Sequence, residues 1–197
     1  AESWKASPDG RTYTFKLRDG VKFHDGTAFS SADVVATFSR IIFPPAGMAS
    51  IYKDQFAAVE KVEGVDRLTV RFVLKEPRPY FVELLTPSSM IIYSKKTLDE
   101  NNQDLRKVIA PGTGAFMFKE RKVAEKWVMV RNPNYWDPEI PYLDGIELLH
   151  IPAWTDRGTA VLTGQADYSP NVSLETYQEG LKRKDIVGTV RYPGEFN

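Results

Sequence analysis

Between Arg11 and Leu17 apolar and polar residues alternate, so that Tyr13, Phe15 and Leu17 fall on one face, the two-residue period of a half-buried strand. "SPDG" (7–10) before it and "RDG" (18–20) after it have turn chemistry, and the short apolar "VKF" (21–23) predicts a hairpin partner. From Ser31 the period lengthens. Val34, Val35, Phe38, Ile41 and Ile42 recur at i, i+1, i+4, i+7 and i+8, one apolar stripe of a helix, which stops before Pro44–Pro45. "AAVEKVEGV" and "RLTVRFVL" predict two more strands around a turn at "GVDR", and a short helix is expected in "KEPRPYFVELL".

The character changes at "APGTGAFMFKE" (110–120), where a glycine-rich joint leads into alternating Phe116 and Phe118 and then a strand in "EKWVMVRN". A domain boundary is expected there, dividing residues 1–111 from 112–197. Beyond the turn-rich "NPNYWDPEIPYLDG" (132–145) the pattern predicts a strand at 146–152 and a helix around Asp156–Thr163. A short "ADYS" strand, a helix near 174–183 and a last strand "IVGTVRYP" follow. Helices and strands mix without strict alternation, which makes the chain α/β of the mixed α+β kind.

Lys+Arg and Asp+Glu number 26 each in 197 residues, so no net charge draws the chain to polyanions, and nucleic acid is not expected as a partner. No apolar run approaches the 18 or so residues of a membrane span, and membrane insertion of this chain is not expected. The absence of cysteine excludes disulfides and thiol chemistry but suits cytosolic and secreted proteins alike.

His24–Asp25 raises the possibility of a catalytic dyad. Adjacent strand residues point to opposite faces, and the one other histidine, His150, stands in no metal-ligand spacing. Asp25–Gly26 reads more simply as a turn, Ser30-x-x-Asp33 as a capping box, and Phe29 with Val34 as a hydrophobic staple. "GTG" (112–114) is followed by a strand pattern, where a phosphate-cradling loop needs a helix N-terminus. Tyr135, Trp136 and Tyr142 suit stacking on a sugar or base but also packing on their own sheet. Carboxylates such as Glu60, Glu63 and Asp66, or Asp137 and Glu139, have no spacing that fixes two across a cleft. The basic "LKRKD" (181–185) is expected to complement the C-terminal dipole of the helix before it. Neither catalytic residue, metal nor cofactor is expected.

"AESWKASPDGRTYTFKLRDGVKFHDGTAFSSADVVATFSRI", followed in order by "GTGAFMF", "VMVRNPNYW", "LDGIE" and "GQAD", resembles the family 5 extracellular solute-binding proteins. These are the oligopeptide-, dipeptide- and nickel-binding components of bacterial ABC importers. The resemblance covers nearly the whole chain. It implies a fold like the type II periplasmic binding proteins, present in part: a small domain (1–111, incomplete at its start) and part of the first ligand-cleft lobe (112–197), the second lobe being absent. Family members carry a signal or lipoprotein peptide and are longer at both ends, so the chain is expected to be a fragment.

What the family does, as the resemblance implies, is capture a small solute such as an oligopeptide outside the cytoplasmic membrane. Two lobes close on the solute without chemistry and deliver it to the cognate ABC permease. The intact protein is expected to be a periplasmic or extracellular monomer, soluble or lipid-anchored. Several charged ligand contacts of the family come from the absent lobe. Here the resemblance points to Ser169 and Asn171 in "YSPN", to Tyr192, Phe196 and Asn197 in "RYPGEFN", and to Met48 and Tyr52 after the first helix. Two alternatives stand beside it. One is a secreted carbohydrate-binding module or hydrolase using Tyr135, Trp136 and a carboxylate pair; the other is a nucleotide-dependent enzyme using "GTG".

Overall fold

A computed structural model describes residues 1–189 and divides the chain into two compact units. Unit 1 is Ala1–Phe118 with Val130–Gly145; unit 2 is Lys119–Met129 with the chain from Ile146 onward. The divisions fall within strands, not at the glycine-rich joint.

Unit 1 is built on an antiparallel sheet of β1 (Ser3–Ala6), β2 (Thr12–Lys16), β3 (Val59–Asp66) and β4 (Thr69–Leu74), in the order β1-β2-β4-β3. "SPDG" closes the β1–β2 hairpin: the Asp9 carboxylate accepts from Ser7 Oγ and from the Arg11 N–H, while Gly10 takes the positive φ of 66° that the turn needs. Tyr13 and Leu17 are buried and Phe15 packs beside them, as the alternation predicts. In β4 the same period buries Val70, Phe72 and Leu74.

Helix α1 (Ser31–Ile42) lays Val34, Phe38 and Ile42 onto this sheet, with Val35 and Ile41 flanking the core. Rings interlock at the centre: Phe72 meets Phe38 and Phe81, each at 5.2 Å between centroids, and Phe15 at 5.7 Å. The helix start is secured by Asp33, which is buried. One carboxylate oxygen accepts from the Ser30 N–H (2.8 Å) and the Ser30 hydroxyl (3.1 Å). The other accepts from the Lys95 N–H (2.8 Å), which opens helix α2 (Lys95–Glu100). One side chain thus caps α1 and fixes α2 to it.

Several expectations are corrected. "VKF" is not a hairpin strand: β1 and β4 fill both edges of β2, leaving no ladder for it. Its Phe23 is buried against Phe29 in a loop pinned by one bridge, Lys22 to Ala28. The true partner, β1, is exposed throughout and carries no alternation to reveal it. The helix expected in "KEPRPYFVELL" shortens to a single 3-10 turn, Glu83–Leu85.

The later strands β5 (Phe116–Lys122), β6 (Lys126–Arg131) and β7 (Gly145–Leu149) form a second sheet in that order. "ADYS" is irregular, as are residues 186–189; the rest of the expected last strand lies outside the described residues. In unit 2, helices α3 (Trp154–Leu162) and α4 (Leu174–Gly180) pack closely because Gly158 has no side chain: a Cβ there would lie 2.5 Å from Thr176 Cγ2. α4 ends before "LKRKD", and Arg183 serves α3 instead, donating to the carbonyl of Leu162 in its last turn while holding Asp185. The buried residues described in unit 2 are Gly158, Ala160 and Gly180, all small, whereas unit 1 buries six phenylalanines and tyrosines and a set of aliphatics.

Candidate functional site

Pro44 and Pro45 end α1, and Gly47, at φ 82°, turns the chain back towards it. The loop is anchored downstream by Phe56, which is 1% exposed in a 3-10 turn at Lys53–Phe56. Between this loop, the end of α1 and residues 89–106 unit 1 holds a cavity of about 640 Å³, within the range of small-molecule sites. Its lining is apolar at Ile41, Met48, Ile51 and Tyr52 and polar at Arg40, Gln103, Asp104 and Arg106.

The polar lining is organised by two arginines with different commitments. Arg106 forks onto Asp104, donating from Nε (2.9 Å) to one oxygen and Nη2 (2.7 Å) to the other. Arg40 donates from Nε (3.1 Å) and Nη2 (2.9 Å) to the carbonyl of Gln103. Gln103 follows Asn102 in the left-handed region, with φ 64° and 48°, a conformation that costs free energy in side-chain-bearing residues. The Arg40 hydrogen bonds hold this strained corner in place.

The Arg106 side chain, and then its backbone N–H, hold the Asp104 carboxyl down to about 2 from the usual 3.8, with the field of Arg40 adding to the effect. Because the folded value lies below the unfolded one, the pairing favours folding above about pH 4 and loses that contribution as pH falls towards 2. A carbon-detected titration should therefore find Asp104 ionised at pH 3, and Arg106→Ala should return its midpoint towards 3.8. An unchanged midpoint in the variant would exclude Arg106 as the cause.

His24, adjacent to Asp25, is not half of a dyad. Asp25 accepts from the Thr27 N–H (3.0 Å) within its own turn, while His24 reaches "GTG" 88 residues on. The imidazole donates from Nε2 to the Gly114 carbonyl (2.9 Å), which assigns the tautomer and leaves Nδ1 to accept from the Gly112 N–H (3.3 Å). The His24 N–H bonds the Gly112 carbonyl (2.8 Å), and Asn132 adds a second donor to Gly114 (3.0 Å). The glycine joint is thus clipped to the turn before α1, and its Gly112 N–H is spent inside the protein. His24→Ala should cost roughly 1–3 kcal/mol for the two ring hydrogen bonds and speed amide exchange at Gly112. Unaltered exchange there would rule out the clip.

Of the residues singled out from the sequence, Met48 and Tyr52 come together in the cavity wall. Ser169 and Asn171 lie in unit 2, where Ser169 Oγ donates to the Asn171 carbonyl (2.9 Å). Tyr192, Phe196 and Asn197 lie outside the described residues. Sequence reasoning missed Arg40, Gln103, Asp104 and Arg106, although a basic residue in the last helical turn and the "QDLR" charge pair were there to find. Tyr135 and Trp136 form a tilted pair at 5.2 Å, but the guanidinium of Arg18 sits 4.0 Å over the Trp136 ring, taking a face that a sugar would stack on. Asp137 is used in a turn, accepting from the Glu139 N–H at 3.1 Å.

Unit 1 thus offers a cavity of binding size, while Trp136 and Asp137, considered for a hydrolase, are engaged by Arg18 and by a local turn. Residues 1–196 match the family model described as bacterial extracellular solute-binding proteins, family 5 Middle. The chain belongs to that family, as the ordered motifs led one to expect. It is 30% identical over 188 residues to the glutathione-binding protein GsiB of Escherichia coli strain K12, covering 94% of this chain and 36% of that protein. It is 31% identical over 211 residues to the periplasmic murein peptide-binding protein MppA of the same strain, covering all of this chain and 39% of that protein. Among solved structures it is similar to the ABC transporter-associated periplasmic binding protein DppA from Helicobacter pylori in complex with peptide STSA. The TM-score is 0.82 and the identity 31%, over 93% of this chain and 40% of that one. The chain therefore spans less than half the length of these relatives, and its fold is that of part of a type II-like periplasmic binding protein. Among the described residues no helix is long and apolar enough to cross a membrane.

Proposed function

We propose that this chain is part of the solute-capturing component of an ABC importer, one that binds a peptide or similar small solute by lobe closure and changes no covalent bond. The observation that carries the reading is the match of the whole chain to proteins named for the peptides they bind, glutathione and murein peptide among them. In this reading residues 1–111 are the small domain and 112–197 part of the first cleft lobe. Ser169, Asn171, Tyr192, Phe196 and Asn197 stand at the cleft, and Met48 and Tyr52 reach the solute from the small domain. Unit 2 supports the partial character: with only Gly158, Ala160 and Gly180 buried among its described residues, it has little core of its own, as a lobe completed by further polypeptide would. The intact receptor would be a monomer outside the cytoplasmic membrane, free or lipid-anchored, with a cognate permease as partner.

Calorimetry on the intact receptor against a peptide panel tests this. A ligand that binds the intact protein tightly should bind residues 1–197 more weakly than micromolar, since half the contact surface and the closure are missing. Equal micromolar binding to both would contradict capture between lobes.

A further inference from the structure

Four Asp–Gly pairs lie in the chain: Asp9–Gly10, Asp19–Gly20, Asp25–Gly26 and Asp144–Gly145. In such a pair the glycine nitrogen, unshielded by a side chain, can attack the aspartyl carboxyl and close a succinimide ring. The fold treats the four differently. The Gly10 N–H is committed to the Ser7 carbonyl (2.9 Å) and the Gly26 N–H to the Phe23 carbonyl (2.8 Å), each closing a turn. Asp144 is gripped by Arg131 at its carbonyl (2.8 Å) and at its carboxylate (3.1 Å), which restrains the rotation that attack requires. The Gly20 N–H instead donates to Asp19 Oδ1, on the carboxylate of the preceding residue, at 2.7 Å. On losing that proton the nitrogen holds an electron pair aimed at the carboxyl group, and a small turn of that group brings Cγ to contact, the condition for a near-attack geometry.

Arg67 works against the reaction. It donates from Nη2 to the same Oδ1 (2.6 Å) and, with the Gly20 N–H behind it, holds the Asp19 carboxyl below the usual carboxylate range. An ionised carboxylate resists a nucleophile. The pair is exposed, however, Asp19 over 68% and Arg67 over 58% of their side chains, so the restraint is weak and water reaches the site.

We propose that Asp19–Gly20 is the site at which this folded chain spontaneously isomerises aspartate to isoaspartate, with Arg67 as the restraint. The Gly20 nitrogen bonds to Asp19 Cγ, and its proton leaves with the carboxyl's hydroxyl as one molecule of water. Water then adds to the main-chain carbonyl of the imide and breaks that carbon's bond to the Gly20 nitrogen, so that the peptide linkage now runs through Cγ. No electron is gained or lost overall. Isoaspartate puts Asp19 Cβ into the backbone and lengthens the turn after β2 by one atom. It also leaves its free carboxylate on Cα in place of the one that pairs with Arg67, the link between this turn and the one joining β3 to β4.

For the test, the intact protein is kept for several weeks at neutral pH, folded and in urea, and isoaspartyl peptides are mapped after labelling with an isoaspartyl-specific methyltransferase. In the folded protein the Asp19 peptide should lead the other three roughly five-fold or more, the advantage of a positioned nucleophile over committed ones. In urea the four should converge, since each has glycine next. Arg67→Gln should speed the reaction at Asp19 about two- to five-fold, the factor that an exposed ion pair contributes, and leave the other three rates unchanged; thermal unfolding checks that the variant folds. Asp19→Glu, whose extra methylene forces a disfavoured six-membered ring, should erase the signal from that peptide. A different pair leading in the folded protein, or an equal lead for Asp19 in urea, would overturn the site. An unchanged Asp19 rate in Arg67→Gln would overturn the restraint.

Discussion

Phe72→Ala should remove about 3–5 kcal/mol from the stability of unit 1, the largest loss expected from any single truncation in this chain. Phe72 is 2% exposed, on the sheet's second central strand, and its ring meets those of Phe15, Phe38 and Phe81. Removing it takes away transfer free energy, leaves a cavity between sheet and helix, and breaks three edge-on or tilted ring contacts at once. Against the roughly 5–15 kcal/mol by which domains are stable, that is a large fraction. In urea the unfolding midpoint should fall by about 2 M. Tyr80→Ala, at a position 77% exposed, should stay within about 0.5 kcal/mol of the parent. Similar midpoints for both variants would mean that the aromatic cluster does not hold the unit together.

Asp33→Ala should cost about 3 kcal/mol, because the carboxylate satisfies donors from two helix starts, and hydrogen bonds to a charged group are each worth more than neutral ones. Losing it leaves the N–H groups of Ser30 and Lys95 without the partner they have now. Asp33→Asn keeps one acceptor oxygen and should fall about midway. Urea unfolding measures the losses, and amide exchange at Ser30 and Lys95 locates them. If Ala and Asn cost the same and exchange at Lys95 does not change, α2 is held to α1 by something other than this side chain.

These two residues show what the sequence made legible. Phe72 belongs to an alternating strand and Phe38 to a helical stripe, so both could be placed in the core from period alone. Asp33 was readable as a cap because Ser30 lies three residues away, but its second oxygen serves Lys95, 62 residues later, which no local pattern announces. His24 shows the same limit: "HDG" is a turn and "GTG" a joint when read separately, and only the fold brings the imidazole onto Gly112 and Gly114. Of the cavity's lining, family resemblance singles out Met48 and Tyr52, though as residues that reach a cleft and not as the wall of this cavity. Its polar lining depends on Arg40 meeting Gln103 across 63 residues and on a left-handed corner at Asn102–Gln103, which no local pattern announces. β1 escaped notice because it is exposed on both faces, and "VKF" misled because a short apolar run serves equally as a strand or as a loop plugging a core.

The account centres on capture of a solute that leaves unchanged. Native mass spectrometry of the intact receptor purified from its host tests this most directly, by weighing any retained small molecule before and after release. A bound solute recovered with its covalent structure intact, and left intact on prolonged incubation with the protein, is the result expected. Conversion of that solute into a product would contradict the account.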